Sequence, residues 1–314
     1  MKLIDAAPSD KKIILGTALW GWGVTRTEVF NILDCYLENG GIIVDTATNY
    51  PINRREENYG LAIRWLKDWV QMHSNEKISI IVKIGSKNNM GGPEFDLSQR
   101  AIVETTKRLR GVFENSLSCI SIHWDDRGAD EKKDKKAIAQ TVEAMFMVNE
   151  MGLDVGLSGI KDPQLYYQSS EILAAEWLIQ VKENFLTNCT RILYERYFPS
   201  ARYFAYGINM GGIKTKNYSK NSSVNLRGIS LNSALAGKLQ HLIEISPNID
   251  PQPTNINHLS LAFTHSNESL SGVIIGPRNV RQLEETMNYW TKLENLAKRA
   301  EWTEFFSDMK MIDG

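Results

Sequence analysis

Residues 11–50, KKIILGTALWGWGVTRTEVFNILDCYLENGGIIVDTATNY, decide the fold. A short apolar run, Ile13–Leu15, leads into a stretch whose apolar positions Val29, Ile32, Leu33, Tyr36 and Leu37 share one helical face. Thr25-Arg26-Thr27-Glu28 reads as a capping box at the start of that helix, with Thr25 accepting a backbone N–H and Glu28 reaching back. Gly40-Gly41 stops the helix, and a second apolar run, Gly41–Asp45, follows. Strand, helix and strand in this order point to a βα unit and a parallel sheet.

The same alternation runs on. Ile78–Ile84, Cys119–His123, Leu153–Ser158, Trp177–Val181, Tyr203–Tyr206 and Gly272–Ile275 read as further strands. Helical spacing recurs near Glu56–His73, Ser98–Asn115, Lys135–Met151 and Pro163–Ala174. An open sheet built to hold a dinucleotide would carry GxGxxG directly after its first strand, and that pattern is missing here. Repeated βα units with no compositional break favour a closed (β/α)8 TIM barrel, α/β in class, with residues 1–314 forming one domain. Two segments break the rhythm. Asp125–Lys136 mixes both charge signs and reads as a solvated loop and helix start, whereas Asn209–Asn225 is long, irregular and Gly-, Asn- and Ser-rich.

Composition narrows the function. With 314 residues, 42% hydrophobic and 23% charged, the chain has the make-up of a globular protein rather than a disordered or fibrous one. A net charge of -1 gives no basic field for nucleic acid or anionic membrane. The opening MKLIDAAPSD has no apolar signal core, and no run of about 18 apolar residues occurs. Cys35, Cys119 and Cys189 are too scattered for a disulfide framework or a zinc site, so no metal is expected and the expected compartment is the cytoplasm.

In a barrel, chemistry gathers where the strands end. Asp45, Lys83, His123, Ser158, Gln180 and Tyr206 fall there, with Tyr50 just past the second strand. A phenol near pKa 10 donates a proton poorly at neutral pH unless a cation stabilises the phenolate. Lys83 would be that cation, and Asp45 would hold it charged and in place. His123 could hydrogen-bond a carbonyl oxygen through its ring N–H. The set suits protonation of an alkoxide as hydride arrives at its carbon.

These residues resemble the aldo-keto reductase family over roughly residues 12 to 290. Ile13–Ala18 resembles the family's first strand and its Gly-Thr turn, which carries over Gly16 and Thr17. VDTATNY (Val44–Tyr50), IVKIG (Ile81–Gly85) and CISIHWDD (Cys119–Asp126) resemble the motifs holding the family's Asp, Tyr, Lys and His. The resemblance implies that Tyr50 is the general acid, that Lys83 and Asp45 tune it, and that His123 orients the carbonyl. It further implies that Ser158 and Gln180 meet the nicotinamide carboxamide and that Tyr206 stacks on its ring. GVIIGPRNVRQLEETM (Gly272–Met287) is similar to the family's phosphate and adenine segment. There Gly276 would let a phosphate approach, Arg278 would meet an adenosine 2′-phosphate, and Gln282 and Glu285 would contact adenine. Gly159 and Thr286 stand where the family has Asn, and Pro51 where it often has Gly.

The reading is therefore an NADP(H)-dependent enzyme, preferring NADP(H) to NAD(H), that reduces an aldehyde, ketone or sugar-like carbonyl. Its partner would be a small carbonyl or alcohol substrate, and the protein itself a monomer or small homo-oligomer. Trp20, Trp22 and Trp124 are suited to wall the substrate pocket, and the Asn88–Phe95 and Asn209–Asn225 segments to shape its entrance. Two alternatives stand beside this one. A nucleotide-sensing or scaffold subunit on the same fold would need only the cofactor residues. A barrel hydrolase or isomerase would want paired carboxylates at the strand ends, where only Asp45 is found.

Overall fold

A computed structural model describes residues 11–128, 130–170, 177–184, 187, 189–210, 233–246, 249–294 and 300–307. Its strands are β1 (Lys12–Gly16), β2 (Ile43–Ala47), β3 (Ser79–Ile84), β4 (Leu117–Asp125), β5 (Asp154–Ile160), β6 (Trp177–Lys182), β7 (Arg202–Tyr206) and β8 (Leu270–Ile275). Each pairs in parallel with the next, and β8 closes on β1 through Lys12↔Gly272 to Leu15↔Ile275. The result is a closed eight-stranded barrel. Gly272 at this seam permits the closure, since a Cβ there would lie 2.1 Å from the Lys12 carbonyl oxygen.

Alternate strand residues face in and out, which divides the core in two. Ile14, Ile43, Ile81, Cys119, Leu178 and Phe204 pack together as one buried cluster, separate from the large cluster that includes Leu15, Val44, Ile80, Val82 and Ile120. The large cluster also takes the apolar faces of α1 (Arg26–Glu38), α2 (Leu61–Met72) and α3 (Gln99–Phe113), such as Ile32, Leu66 and Leu109. Around the same barrel follow α4 (Glu131–Glu150), α5 (Pro163–Gln168), α6 (Cys189–Glu195), α7 (Ser233–Ile245), α8 (Ile256–Ser266) and α9 (Val280–Leu293). Local chemistry sets most helix starts. Side chains of Thr25, Ser98, Asp130, Asp162, Asn255 and Asn279 each accept a backbone N–H three residues on. No helix among the described residues is long and apolar enough to cross a membrane.

Three expectations need adjustment. The stretch near Glu56–His73 is a 3-10 turn, Glu56–Asn58, then α2, separated by Gly60 at φ +70°. Thr25 caps α1 as expected, but Glu28 does not complete the capping box; its carboxylate accepts the Val280 N–H of α9 at 3.0 Å. The charged stretch after β4 is only partly solvated. Asp125 is wholly buried, because Arg127 forks onto both its oxygens and the Tyr166 hydroxyl donates to it at 2.7 Å.

Candidate active site

The C-terminal strand ends surround a cavity of about 920 Å³. Asp45, Lys83, His123, Ser158 and Gln180 all line it from different strands, as does Tyr50 from the loop after β2. Parallel pairing sets Ala47 of β2 opposite Lys83 of β3. On these neighbouring strands the ammonium of Lys83 bonds to the Asp45 carboxylate, whose other oxygen accepts from Gln180 Nε2 at 2.6 Å. The loop carrying Tyr50 is pinned by backbone bonds: Tyr50 N–H to Ala47 O at 3.2 Å, and Ala62 N–H of α2 to Tyr50 O at 3.2 Å. Lys83 Nζ then lies 5.2 Å from the centre of the Tyr50 ring, and the two side chains interact electrostatically. His123 meets Tyr50 edge-on at 5.3 Å between ring centres.

Charge in this group follows from burial and pairing. Burial pulls the Lys83 pKa down, but attraction from Asp45 and Tyr50 outweighs it and the net shift is upward. Burial, aided by repulsion from Lys83, pushes the His123 imidazole well below its usual range, so it is neutral. Burial also raises the Tyr206 phenol. The arrangement therefore offers a buried cation against a phenol, with a neutral imidazole alongside. Such an arrangement is chemically capable of donating a proton to an oxygen that gains negative charge.

The remaining residues singled out in the sequence spread along the same cleft. Gly16 and Thr17 lie at the end of β1, where Thr17 donates to Thr46 Oγ1 at 2.8 Å. Gly16 is required by packing, because a Cβ would lie 2.8 Å from Ile274. Tyr206 and Gly276 also line the cavity, and the space a Cβ would take at Gly276 is open. Arg278, Gln282 and Glu285 form the far end. There Gln282 Oε1 accepts the Arg278 N–H at 2.9 Å, while the Arg278 guanidinium donates to Gly23 O at 3.4 Å. Glu285 accepts from Asn255 at 2.6 Å.

Among the tryptophans, Trp124 lines the cavity, but Trp20 does not: it is 1% exposed and packs in the outer core. Trp22 is half-buried against that core and is also not part of the lining. An indole fits a core as well as a rim, and spacing alone does not separate the two. The segment 88–95 acts indirectly. Asn89 donates its amide to Pro51 O and Arg55 O, which props the turn bearing the lining residue Ile52. Asn209 lines the cavity, whereas residues 211–225 of the long segment lie outside the described residues. Leu19, Ile208 and Asn257 were not singled out in the sequence; they line the cleft from loops and from α8, where no periodic pattern marks them. Ser86 was missed as well. Its hydroxyl lies 3.3 Å from His123 Nδ1.

A nicotinamide dinucleotide fits this cleft. Gln180 Oε1 is buried with no hydrogen-bond partner among the described residues, although its amide nitrogen is committed to Asp45. An incoming carboxamide N–H would satisfy that acceptor. The open approach at Gly276 and the cation of Arg278 suit a phosphate at the opposite end.

A parallel eight-stranded barrel, with buried Asp, Lys and His and a half-buried Tyr meeting at its C-terminal mouth, defines a class of barrel scaffolds with an ionisable cluster beside a long cleft. Residues 12–299 match the model of the Aldo/keto reductase family, and the chain belongs to that family. Protein tas of Escherichia coli strain K12 is 30% identical over 122 residues, which span 36% of this chain and 34% of that protein. The chain thus aligns with about a third of that relative's length. An uncharacterized 11.2 kDa protein in the crtE 3′ region of Pseudescherichia vulneris is 32% identical over 76 residues, 24% of this chain and 74% of that protein. Among solved structures, the holo form of the aldo-keto reductase AKR11C1 from Bacillus halodurans shares the fold, with a TM-score of 0.67 at 18% identity, covering 95% of this chain and 91% of that one.

Proposed function

We propose that the protein is an NADP(H)-dependent reductase of aldehyde or ketone carbonyls in which Tyr50 is the general acid. One observation carries this reading: Lys83, bonded to Asp45, sits 5.2 Å from the centre of the Tyr50 ring in the cleft. When bound, the reduced nicotinamide supplies a hydride to the carbonyl carbon. Tyr50 Oη gives its proton to the carbonyl oxygen as charge builds there. Lys83 stabilises the phenolate left behind, and Asp45 keeps Lys83 charged and aimed. His123, neutral and packed against Tyr50, donates its ring N–H to the same oxygen and so orients the substrate. Ser158, Gln180 and Tyr206 would hold the nicotinamide end. Gly276, Arg278, Gln282 and Glu285 would hold the adenosine end, with Arg278 favouring the 2′-phosphate of NADP(H). Trp124 and Ile52 would face the substrate.

The test is Tyr50→Phe. NADPH should still quench protein fluorescence on binding, while oxidation of NADPH by a panel of aldehydes, ketones and keto-sugars falls by at least about a hundredfold, the low end for a general acid. Full turnover in this variant, or no NADPH binding by the unmodified protein, refutes the assignment.

A further inference from the structure

Ser86 has no part in the scheme above, yet the fold holds it firmly against His123. It is the second residue past β3. Gly85 turns the chain at φ +106°, a backbone region that side-chain-bearing residues rarely adopt. A Cβ at Gly85 would also crowd the end of the Leu97 side chain, at 2.6 Å. Beyond the turn, Ser86 forms an antiparallel bridge to Phe95, and its carbonyl accepts the Tyr59 hydroxyl at 3.1 Å. Ser86 and His123 are both buried. Trp124, with ring centres 4.4 Å apart, and the edge of Tyr50 confine the imidazole further.

The direction of the Ser86–His123 bond follows from satisfying the hydroxyl. Among the described residues, His123 Nδ1 is the acceptor within reach of the Ser86 proton. If Nδ1 carried its own hydrogen, the buried hydroxyl proton would be stranded, which costs roughly 1–3 kcal/mol. A neutral imidazole has one N–H, so a proton-free Nδ1 places the hydrogen on Nε2. With Nδ1 turned to Ser86, the Nε2 edge is the one His123 presents to the cleft it lines.

We propose that Ser86 is a positioning residue: its hydroxyl donates to His123 Nδ1, fixes the Nε2–H tautomer and aims that N–H at the substrate carbonyl oxygen. The inference rests on the carbonyl-reduction reading for its consequence in turnover, but its tautomer claim stands apart from it. Loss of the hydroxyl removes the preference between tautomers, and in one of them the nitrogen facing the cleft is an acceptor that repels the carbonyl oxygen.

Two measurements on the full chain test this. Imidazole proton–nitrogen correlation spectra of ¹⁵N-labelled protein report which nitrogen carries hydrogen, with a His123→Gln sample assigning the signal among the five histidines. The unmodified protein should show His123 as the Nε2–H tautomer, and Ser86→Ala should show a mixture. In the NADPH-dependent assay, Ser86→Ala should lower kcat/KM about tenfold, the factor one lost hydrogen bond carries, with NADPH affinity unchanged. Ser86→Thr, which keeps the hydroxyl, should restore both readouts. An Nδ1–H or mixed tautomer in the unmodified protein overturns the proposal. So does a drop in kcat/KM with an unaltered spectrum, since that marks a merely structural role, or a Ser86→Ala variant indistinguishable in both readouts. If the unmodified protein turns over no carbonyl, the reductase reading fails, while the spectra still decide the role of Ser86.

Discussion

An ammonium buried among isoleucine and valine is destabilised by lost hydration unless an anion stands beside it. Lys83 is 4% exposed, and Asp45 supplies that anion from the adjoining strand. The pair is interdependent, because Asp45 is 2% exposed and would be equally costly alone. Lys83→Met should therefore abolish turnover and also lower unfolding free energy in urea by about 3–5 kcal/mol, as removal of one partner of a buried pair does. Adding Asp45→Asn should return most of that stability and none of the activity. A stable Lys83→Met single variant would show that Asp45 finds another cation. These residues were legible in the sequence because an ionisable residue ending an Ile/Val run has few places to go except a strand mouth. Ser86 was not legible, since a lone serine after a glycine carries no pattern and its partner lies 37 residues on. Trp20 misled for the opposite reason: its indole suits both environments, and only packing places it in the core.

The strands were legible to within two residues of their ends, mostly because runs rich in Ile and Val leave little ambiguity. Helix starts were legible through their caps, of which Thr25 is the example read from sequence and confirmed by its bond to the Glu28 N–H. What sequence could not supply was the use of Glu28 itself, whose partner Val280 is 252 residues away. This carboxylate ties α1 to α9 and occupies one of the free N–H groups at the start of α9, beside Arg278. A negative charge there opposes a phosphate at the same helix end. On the proposed cofactor reading, Glu28→Gln should raise affinity for NADPH relative to NADH by about two- to fivefold, matching the 0.3–1 kcal/mol of a charge near a helix terminus. Fluorescence titrations with the two cofactors measure it. An unchanged ratio would mean that the adenosine phosphate binds clear of this helix start.

Closing a barrel so that its mouth is rich in polar groups places titratable side chains in a medium that resists charge. His123 is one, and His258 on α8 is another, stacked on Tyr289 with 4.0 Å between ring centres and its Nδ1 facing Thr254 at 3.1 Å. Burial outweighs the pull of Glu285 and lowers the His258 pKa below 6.5; His123 is lowered further, by burial and then by Lys83. Between each folded value and 6.5, the unfolded chain takes up a proton that the folded chain refuses. Stability from these groups is thus complete above pH 6.5 and falls as the solution is acidified. The slope should reach about 1.4 kcal/mol per pH unit for each histidine while only the unfolded state titrates. Asp96 and Asp134, both lowered from 3.8, add their own losses only at still lower pH. Urea unfolding at steps from about pH 7 to 5 should show the decline, and His258→Gln should flatten it. A stability that stays level from pH 7 to 5 would mean that water reaches both imidazoles and that the cleft floor and the α8–α9 seam open more readily than their packing implies.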